Sequence, residues 1–468
     1  MMSLGKSVLM WAWWLGCSAA QGSDLLDAYR QAVGHDALYA AAQAQQQVGE
    51  EYRLQARAGL LPQISLDAQT SWSETRYELA TGAVKQRRQN RSYGIQLVQP
   101  LFRWQNWIQY KQGNLYEALA LLRLHSAEQD LILRVAEAYF EVLNTHDVLE
   151  SVHELSLVGA EQLARARKGF ELGSASKADV DEALAVFDKA TAQVIRARSE
   201  LELARHGLAR LTGSWPETIK GLADKIILAL PDPWPVEDWV KAAKRNSLEV
   251  QEREMLLEVA THELRRRKAE HLPTLDLVIN QNMQQSPNAV THSNEAANIG
   301  VRLTAPLYSG GRLSSSAREA QALRLQAEYE LQDMQRSAAL SARQAWLGVL
   351  DGIAQVEALT TALLSAQSAV ESNRLGYRLG VRTGIDVLEM QSQLSDTQQQ
   401  LSRARHETVL ALLQLRAAVG ALEHQHLADI NTLLDDSNIL ALDDIKTQHL
   451  PSNSYEPERL QDLSIHNF

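Results

Sequence analysis

The sequence predicts an α+β membrane protein in which two β-hairpins are continued by very long helices, and three observations predict it. The first is a duplication: GFELGSASKADV, from Gly169 to Val180, returns as GYRLGVRTGIDV from Gly376 to Val387, 207 positions later. The same interval carries AYFEVL at 138–143 onto AWLGVL at 345–350, while LVQPLF at 97–102 reaches LTAPLY at 303–308 after 206 positions and LLPQISLDAQ at 60–69 reaches HLPTLDLVIN at 271–280 after 211. The interval changes only between strand-like pieces, where a loop absorbs a difference of about five residues. The second observation is the placing of the eleven prolines, none of which falls between Leu101 and Trp215 or between Leu307 and Leu450. Such stretches can be helical throughout, and their Ala, Leu, Gln, Arg and Glu content suits helices. The third is apolar and polar alternation in four short segments that flank the helical ones.

In chain order, Lys6, the apolar run Val8 to Gly16 and the small residues Ser18, Ala19 and Ala20 have the layout of a secretory leader. Cleavage after Ala20 makes 1–20 a signal peptide and removes Cys17, the only cysteine. The alternative is a lipoprotein acylated on Cys17, against which Trp14 stands where a small aliphatic residue belongs. Beyond the leader there is no run of about eighteen apolar residues, so a transmembrane helix is not expected and a membrane role requires a β-barrel.

Residues 24–59 read as helix, ending near Gly59 and Pro62. From Gln63 to Ser73, Ile64, Leu66, Ala68, Thr70 and Trp72 alternate with Gln63, Ser65, Asp67, Gln69 and Ser71, which is a strand with one apolar and one polar face. Tyr93, Ile95 and Leu97 alternate toward Pro100, completing a long hairpin across the basic cluster Lys85 to Arg91. Leu275, Leu277, Ile279 and Met283, then Ile299, Val301, Leu303 and Ala305, repeat the plan. Dyad patterns of about ten residues are those of a membrane β-barrel. Four strands cannot close around a channel, so several copies of the chain must contribute.

From Arg312 the apolar residues step by three and four, through Ala320, Leu323, Ala327, Leu331, Met334, Ala338 and Ala342 to Leu363. This stripe predicts a helix of about sixty residues, about 90 Å long. A turn at Gly376 to Gly384 precedes a second helix reaching Gly420, and the matching first-half hairpin turns at Gly169 to Ser176 and ends at Gly213. Trp215 to Pro235 holds four prolines and reads as an irregular connector. The acidic, polar tail from Asp435 is expected to be loosely held, and its terminal Phe468 matches the last aromatic of many bacterial barrels. The expected divisions are a signal peptide at 1–20, a first repeat at 21–214, a connector at 215–236, a second repeat at 237–422 and an equatorial region with polar tail at 423–468.

The formal net charge of −11 disfavours nucleic acid, whose phosphates need a basic surface. No Gly-rich phosphate loop, nucleophile elbow or Cys/His cluster is present, so the expectation is no enzyme, no cofactor and no metal. His424 and His426 supply two ligands, which do not make a site. A passive conduit fits best; the alternative is a periplasmic coiled-coil scaffold or adaptor without a pore.

HLPTLDL at 271–277, APLYSGG at 305–311 and GYRLGVRTGIDVLEMQ at 376–391, with the duplicated plan of two strands and two long helices, resemble the TolC family of outer-membrane channel-tunnel proteins over nearly all of the chain beyond the leader. The resemblance implies a homotrimer in the bacterial outer membrane: a twelve-stranded β-barrel, four strands per protomer, in contact with outer-membrane lipid and continued into the periplasm by an α-helical barrel, with an equatorial belt formed by the mid-chain connector and the C-terminal region. It implies an exit duct joined through a periplasmic adaptor protein to an inner-membrane ABC or proton-driven transporter, for drug efflux or type I secretion of polypeptides. The cargo is set by those partners.

The resemblance also implies a periplasmic end that opens like an iris. The residues that tie it shut carry over to Asp179 in the first hairpin and to Tyr377 and Arg382 in the second, and the carboxylates ringing the pore constriction carry over to Asp386 and Glu389. Glu389 stands where Asp is commoner, and Ala178 where a hydroxyl joins the network, which suggests a looser gate or a different partner for Arg382. The repeat places Tyr377 on Phe170, Arg382 on Ala175 and Asp386 on Asp179, so the second hairpin gains a phenol and a guanidinium. One mobile and one fixed hairpin are expected. Without the resemblance, Arg382 and Asp386 would be an ordinary exposed i,i+4 pair.

Overall fold

A computed structural model of the chain describes residues 23–79, 81–223, 235–285 and 293–442. The expected leader, Cys17, half of the proline-rich connector and the tail beyond 442, with Phe468, lie outside the described residues. The N-terminal helical stretch is two helices, α1 (Leu25–His35) and α2 (Ala37–Ala58). They meet at Asp36, whose carboxylate accepts from Tyr39 N–H at 2.7 Å and from both terminal nitrogens of Arg134 at 2.8 and 3.1 Å. A short polar residue that caps one helix while ending another breaks a pattern that periodicity alone reads as continuous.

The first hairpin is β1 (Gln63–Leu79) and β2 (Gly82–Phe102), and the chain then enters α3 (Trp104–Glu171) and α4 (Lys177–Thr212). A short strand, β3 (Thr218–Leu222), precedes α5 (Val236–Asn246) and α6 (Leu248–Ala269). The second hairpin, β4 (Thr274–Gln285) and β5 (Ser293–Thr304), leads to α7 (Arg312–Arg378) and α8 (Gly384–Ala418), followed by α9 (His424–Asn431) and β6 (Leu434–Ala441). At 68 and 67 residues, α3 and α7 are each about 100 Å long.

The duplication extends to backbone conformation. Gly173 and Gly380, at the two turns, both have φ +74°, and Gly213 and Gly420, at the two helix ends, have φ +73° and +69°. Left-handed residues of this kind terminate a helix at little cost only as glycine. The α7 stripe also holds, with Ala320, Ala338, Ala342 and Val349 buried.

The four long strands form one antiparallel sheet in the order β1-β2-β4-β5. Its registers align Ile64 with Leu97, Leu97 with Ile279 and Ile279 with Ile299, whereas the adjacent row is Ser65, Gln96, Asn280 and Asn298. Along β2 the odd residues Arg91, Tyr93 and Ile95 are exposed while Ser92, Gly94 and Gln96 are half-buried. The apolar face is therefore the convex one and the polar face the concave one. Beyond Trp72 the first hairpin outruns the second, and its convex face becomes charged where Arg87 pairs with Glu74 at 2.8 Å.

The helices form one layer whose order changes along its length. Next to the sheet the neighbours are α2, α3, α6 and α7; toward the turns they are α7, α8, α3 and α4. Both edges of the layer expose apolar side chains, among them Leu203 on α4 and Leu364 on α7. One window of 18 residues in α7 has a mean hydropathy of 1.4. By length and composition α7 could cross a membrane, contrary to the expectation from sequence, but the exposed apolar band of the sheet lies elsewhere and the surface of α7 is the open edge of a helical layer.

The connector and the start of the tail are more regular than their composition led one to expect. Within the connector β3 pairs with β6, which begins at Leu434 and runs into the tail expected to be loose from Asp435. Ile219, in β3, is fully buried against the core that Tyr139, Phe140 and Leu427 share. Arg205, also fully buried, donates to the Pro216 carbonyl at 3.1 Å and the Leu442 carbonyl at 3.3 Å, and lies 4.5 Å over the Trp215 ring. A charge buried this far is retained because carbonyls and a ring face receive it.

Candidate functional site at the helix turns

Each helical hairpin turns through the same device. Ser176 and Thr383 are the N-cap residues of α4 and α8, and Asp179 and Asp386, three residues later, complete reciprocal capping boxes. The Asp386 carboxylate accepts from Thr383 N–H at 2.7 Å and its hydroxyl at 3.0 Å, while the Asp179 carboxylate accepts from the same groups of Ser176 at 2.8 and 2.9 Å. These hydrogen bonds hold both carboxyls below the usual aspartate range, and for Asp386 nearby Arg382 adds to the effect. Both residues therefore serve the turn itself, whatever else they do.

Arg382 is exposed and makes no ion pair with Asp386 within 4.0 Å among the described residues; its stem instead folds over Gly376, where a Cβ would come within 2.8 Å of Cγ. Tyr377 is half-buried beside the start of α8: a Cβ on Gly384 would lie 3.7 Å from its ring and 3.5 Å from the Gln162 amide oxygen of α3. Neither the Tyr377 hydroxyl nor the Arg382 guanidinium has a polar partner among the described residues of one chain. Glu389 is exposed one turn beyond Asp386. Asp179, at the start of α4, is on one edge of the helical layer, and Tyr377, at the end of α7, is on the other. One chain does not bring them together.

What joins the two hairpins within one chain is packing that the sequence reading missed. Leu388 of α8 is 1% exposed and packs with Leu163 of α3 and with Ala183 and Phe187 of α4. Farther from the turns, Ser151 and Ser395 hydroxyls meet at 2.6 Å, and the Ser402 hydroxyl donates to Asp147. Gln162 carries no motif, and Leu388, although inside the stretch 376–391, shows no sign of this packing in sequence; only the three-dimensional neighbourhood marks them. Among the described residues no group of three His, Cys, Asp or Glu could hold a metal, and the His426 ring nitrogen is occupied in accepting from Glu423 N–H at 3.0 Å.

The chain is similar along most of its length to proteins of known kind. The outer membrane efflux protein family matches residues 28–214 and 239–421. The outer membrane protein TolC of Vibrio cholerae is 31% identical over 88% of this chain and 94% of its own length. The alkaline protease secretion protein AprF of Pseudomonas aeruginosa is 29% identical over 86% of this chain and 85% of its own. Among solved structures, the outer membrane protein VceC of Vibrio cholerae superposes with a TM-score of 0.72 at 21% identity, covering 85% of this chain and 96% of that one. Two matched segments, one in each half of a duplicated strand and helix plan, place this chain in the outer membrane efflux protein family, as an outer-membrane export channel.

Proposed function

We propose that three copies close the open edges of the sheet and of the helical layer into one duct, gated where the helices turn. The carrying observation is the four-stranded sheet with an apolar convex face, a polar concave face and outer strands β1 and β5 that each leave one edge unpaired among the described residues. Because β1 and β5 run in opposite directions, β5 of one copy can pair antiparallel with β1 of the next, and three copies give twelve strands around a polar lumen. The exposed apolar surfaces of α4 and α7 then meet across the same seam. A pore-free scaffold has no use for that sheet.

Ring closure also brings the α4 edge of one copy to the α7 edge of its neighbour, so Asp179 faces the second hairpin that carries Tyr377 and Arg382. These three residues tie the closed end, and threefold copies of Asp386 and Glu389 surround the constriction. The duct has no energy source of its own, so an inner-membrane ABC or proton-driven transporter drives export through a periplasmic adaptor, whether of small molecules or of polypeptides. Reconstitution into a planar bilayer tests the proposal: conducting events of uniform size should come from the trimer fraction. Trimers that insert without conducting would refute it.

A further inference from the structure

Just below the apolar band of the sheet, α3 and α6 enclose a groove lined by Trp104, Trp107, Ile108, Lys111, His262, Arg265, Lys268, Ala269 and Leu272. Its side of the molecule follows from the strand that precedes it. Arg103 turns to the concave face, donating through two nitrogens to both oxygens of Asp276 at 2.7 Å each. Phe102 is paired with Leu275 of the convex face, and Trp104 continues on that side. Trp104 and Trp107 are 46% and 43% exposed, although an indole gains most at a membrane interface, where one end is apolar and the other wet.

The charges around the groove are unbalanced. In the run Arg265 to Lys268, the middle two residues are neutralised: Arg266 and Arg267 pair with Glu263 at 2.6 and 2.8 Å and with Glu270 at 3.4 and 3.3 Å. Arg265 and Lys268, with Lys111 from the facing helix, are exposed and have no carboxylate partner among the described residues. His262 is buried in the same lining, and its Nδ1 has no hydrogen-bond partner among the described residues. Burial and then Arg265 lower the pKa of this imidazole, with Glu258, 3.9 Å from Nε2, opposing and Lys111 adding.

We propose that this groove is a binding site for an anionic glycerophospholipid of the periplasmic leaflet, with Lys111, Arg265 and Lys268 receiving the phosphate and Trp104, Trp107, Ile108 and Leu272 receiving the start of the acyl chains. Three cations lining one groove attract an anion, and the apolar floor and the two indoles select a lipid over a free phosphate. The groove lies between two helices at the middle of the layer, away from the edges that ring closure covers, so each copy in a trimer would keep its own site. The inference rests on the convex face of the sheet being embedded in a bilayer.

Native mass spectrometry of the purified trimer, released from detergent with phosphatidylglycerol or phosphatidylcholine at equal concentration, tests it. The expected result is about tenfold greater retention of phosphatidylglycerol, lost in Lys111→Gln/Arg265→Gln/Lys268→Gln and kept in the control Lys241→Gln/Lys244→Gln/Arg245→Gln on α5. If the triple variant does not assemble, Lys111→Gln alone should lower retention and Lys111→Arg restore it. Equal retention of both lipids by an intact, conducting trimer would overturn the site while leaving the channel reading in place. Full displacement of the lipid by millimolar inorganic phosphate would make it an ion site, and loss of a bound periplasmic protein in place of lipid would make it a docking surface; either refutes the proposal. A preparation without trimers would instead sink the channel reading itself.

Discussion

The double change Tyr377→Phe with Arg382→Ser removes the two side chains whose polar ends have no hydrogen-bond or ion-pair partner among the described residues of one chain. The Tyr377 ring beside Gly384 and Gln162 is preserved by Phe, and the Thr383 and Asp386 capping box that starts α8 involves neither residue. Secondary structure and trimer yield should therefore be unchanged. If Tyr377 and Arg382 tie the closed end as proposed, each copy loses one hydrogen bond from a half-buried hydroxyl, worth about 1 kcal/mol, and one link from an exposed guanidinium, worth about 0.5 kcal/mol. Over three copies that is about 4.5 kcal/mol, or about a thousandfold in the ratio of open to closed ends at about 1.4 kcal/mol per tenfold. Single-channel conductance in a planar bilayer should rise, and cells should take up a large antibiotic such as vancomycin. Wild-type conductance from a correctly assembled double variant would refute this reasoning and transfer the gate to the apolar contacts of Leu388 with Leu163 and Phe187.

Three further outcomes are expected. Arg at the convex positions Ile95 or Ile299 should cost about 2–4 kcal/mol per site in the bilayer and lower trimer yield, whereas Arg at the concave Asp67 or Asn280 should be tolerated; equal yields would mean the faces are assigned the wrong way round. Asp386→Asn with Glu389→Gln should weaken cation selectivity, read from reversal potentials across a salt gradient. Because Thr383 and then Arg382 depress the Asp386 carboxyl, the Glu389→Gln single variant should keep selectivity as pH falls through the ordinary aspartate value of about 3.9; selectivity lost above that pH would contradict the hydrogen-bonded turn. Burial pushes His406 down to about 4, with Asp147 opposing and Arg405 adding, so its neutral form stabilises the fold fully above about pH 6.5 and that contribution, about 3 kcal/mol, is lost as pH falls toward 4. His406→Phe, packed on Phe140 as the imidazole now is at 5.6 Å, should flatten acid destabilisation over that window in thermal melts, and an unaltered pH slope would assign the acid sensitivity to other groups.

The sheet and the helical hairpins were legible because their signals are local and repeated. Alternation in Ile64 to Trp72 and Leu275 to Met283 fixes which face is apolar without knowledge of strand pairing, and the paired glycines at 173 and 380 mark turns that no other residue makes cheaply. β3 and β6 were not legible: Thr218–Leu222 is short and its partner begins at Leu434, so neither segment shows the pairing that stabilises it. The break between α1 and α2 rests on a single aspartate whose second role, binding Arg134 across the fold, leaves no trace in a helical period. At the turns, sequence located Asp179, Tyr377, Arg382, Asp386 and Glu389, but not the capping roles of the two aspartates or the packing of Leu388, since a buried leucine on an amphipathic helix looks like any other. Of the three cations near Trp104, Arg265 and Lys268 were likewise hidden inside a run in which two of four charges are neutralised, and Lys111 stands far from them in sequence on the facing helix.

The mass of the detergent-solubilised protein, measured by light scattering with the detergent contribution subtracted, bears most directly on the central claim. A four-stranded sheet with two unpaired edges predicts three chains per particle, and the same particles should conduct in a bilayer. A stable, folded monomer would contradict the account, because one copy cannot enclose the lumen to which the polar face of the sheet and the charged turns are assigned.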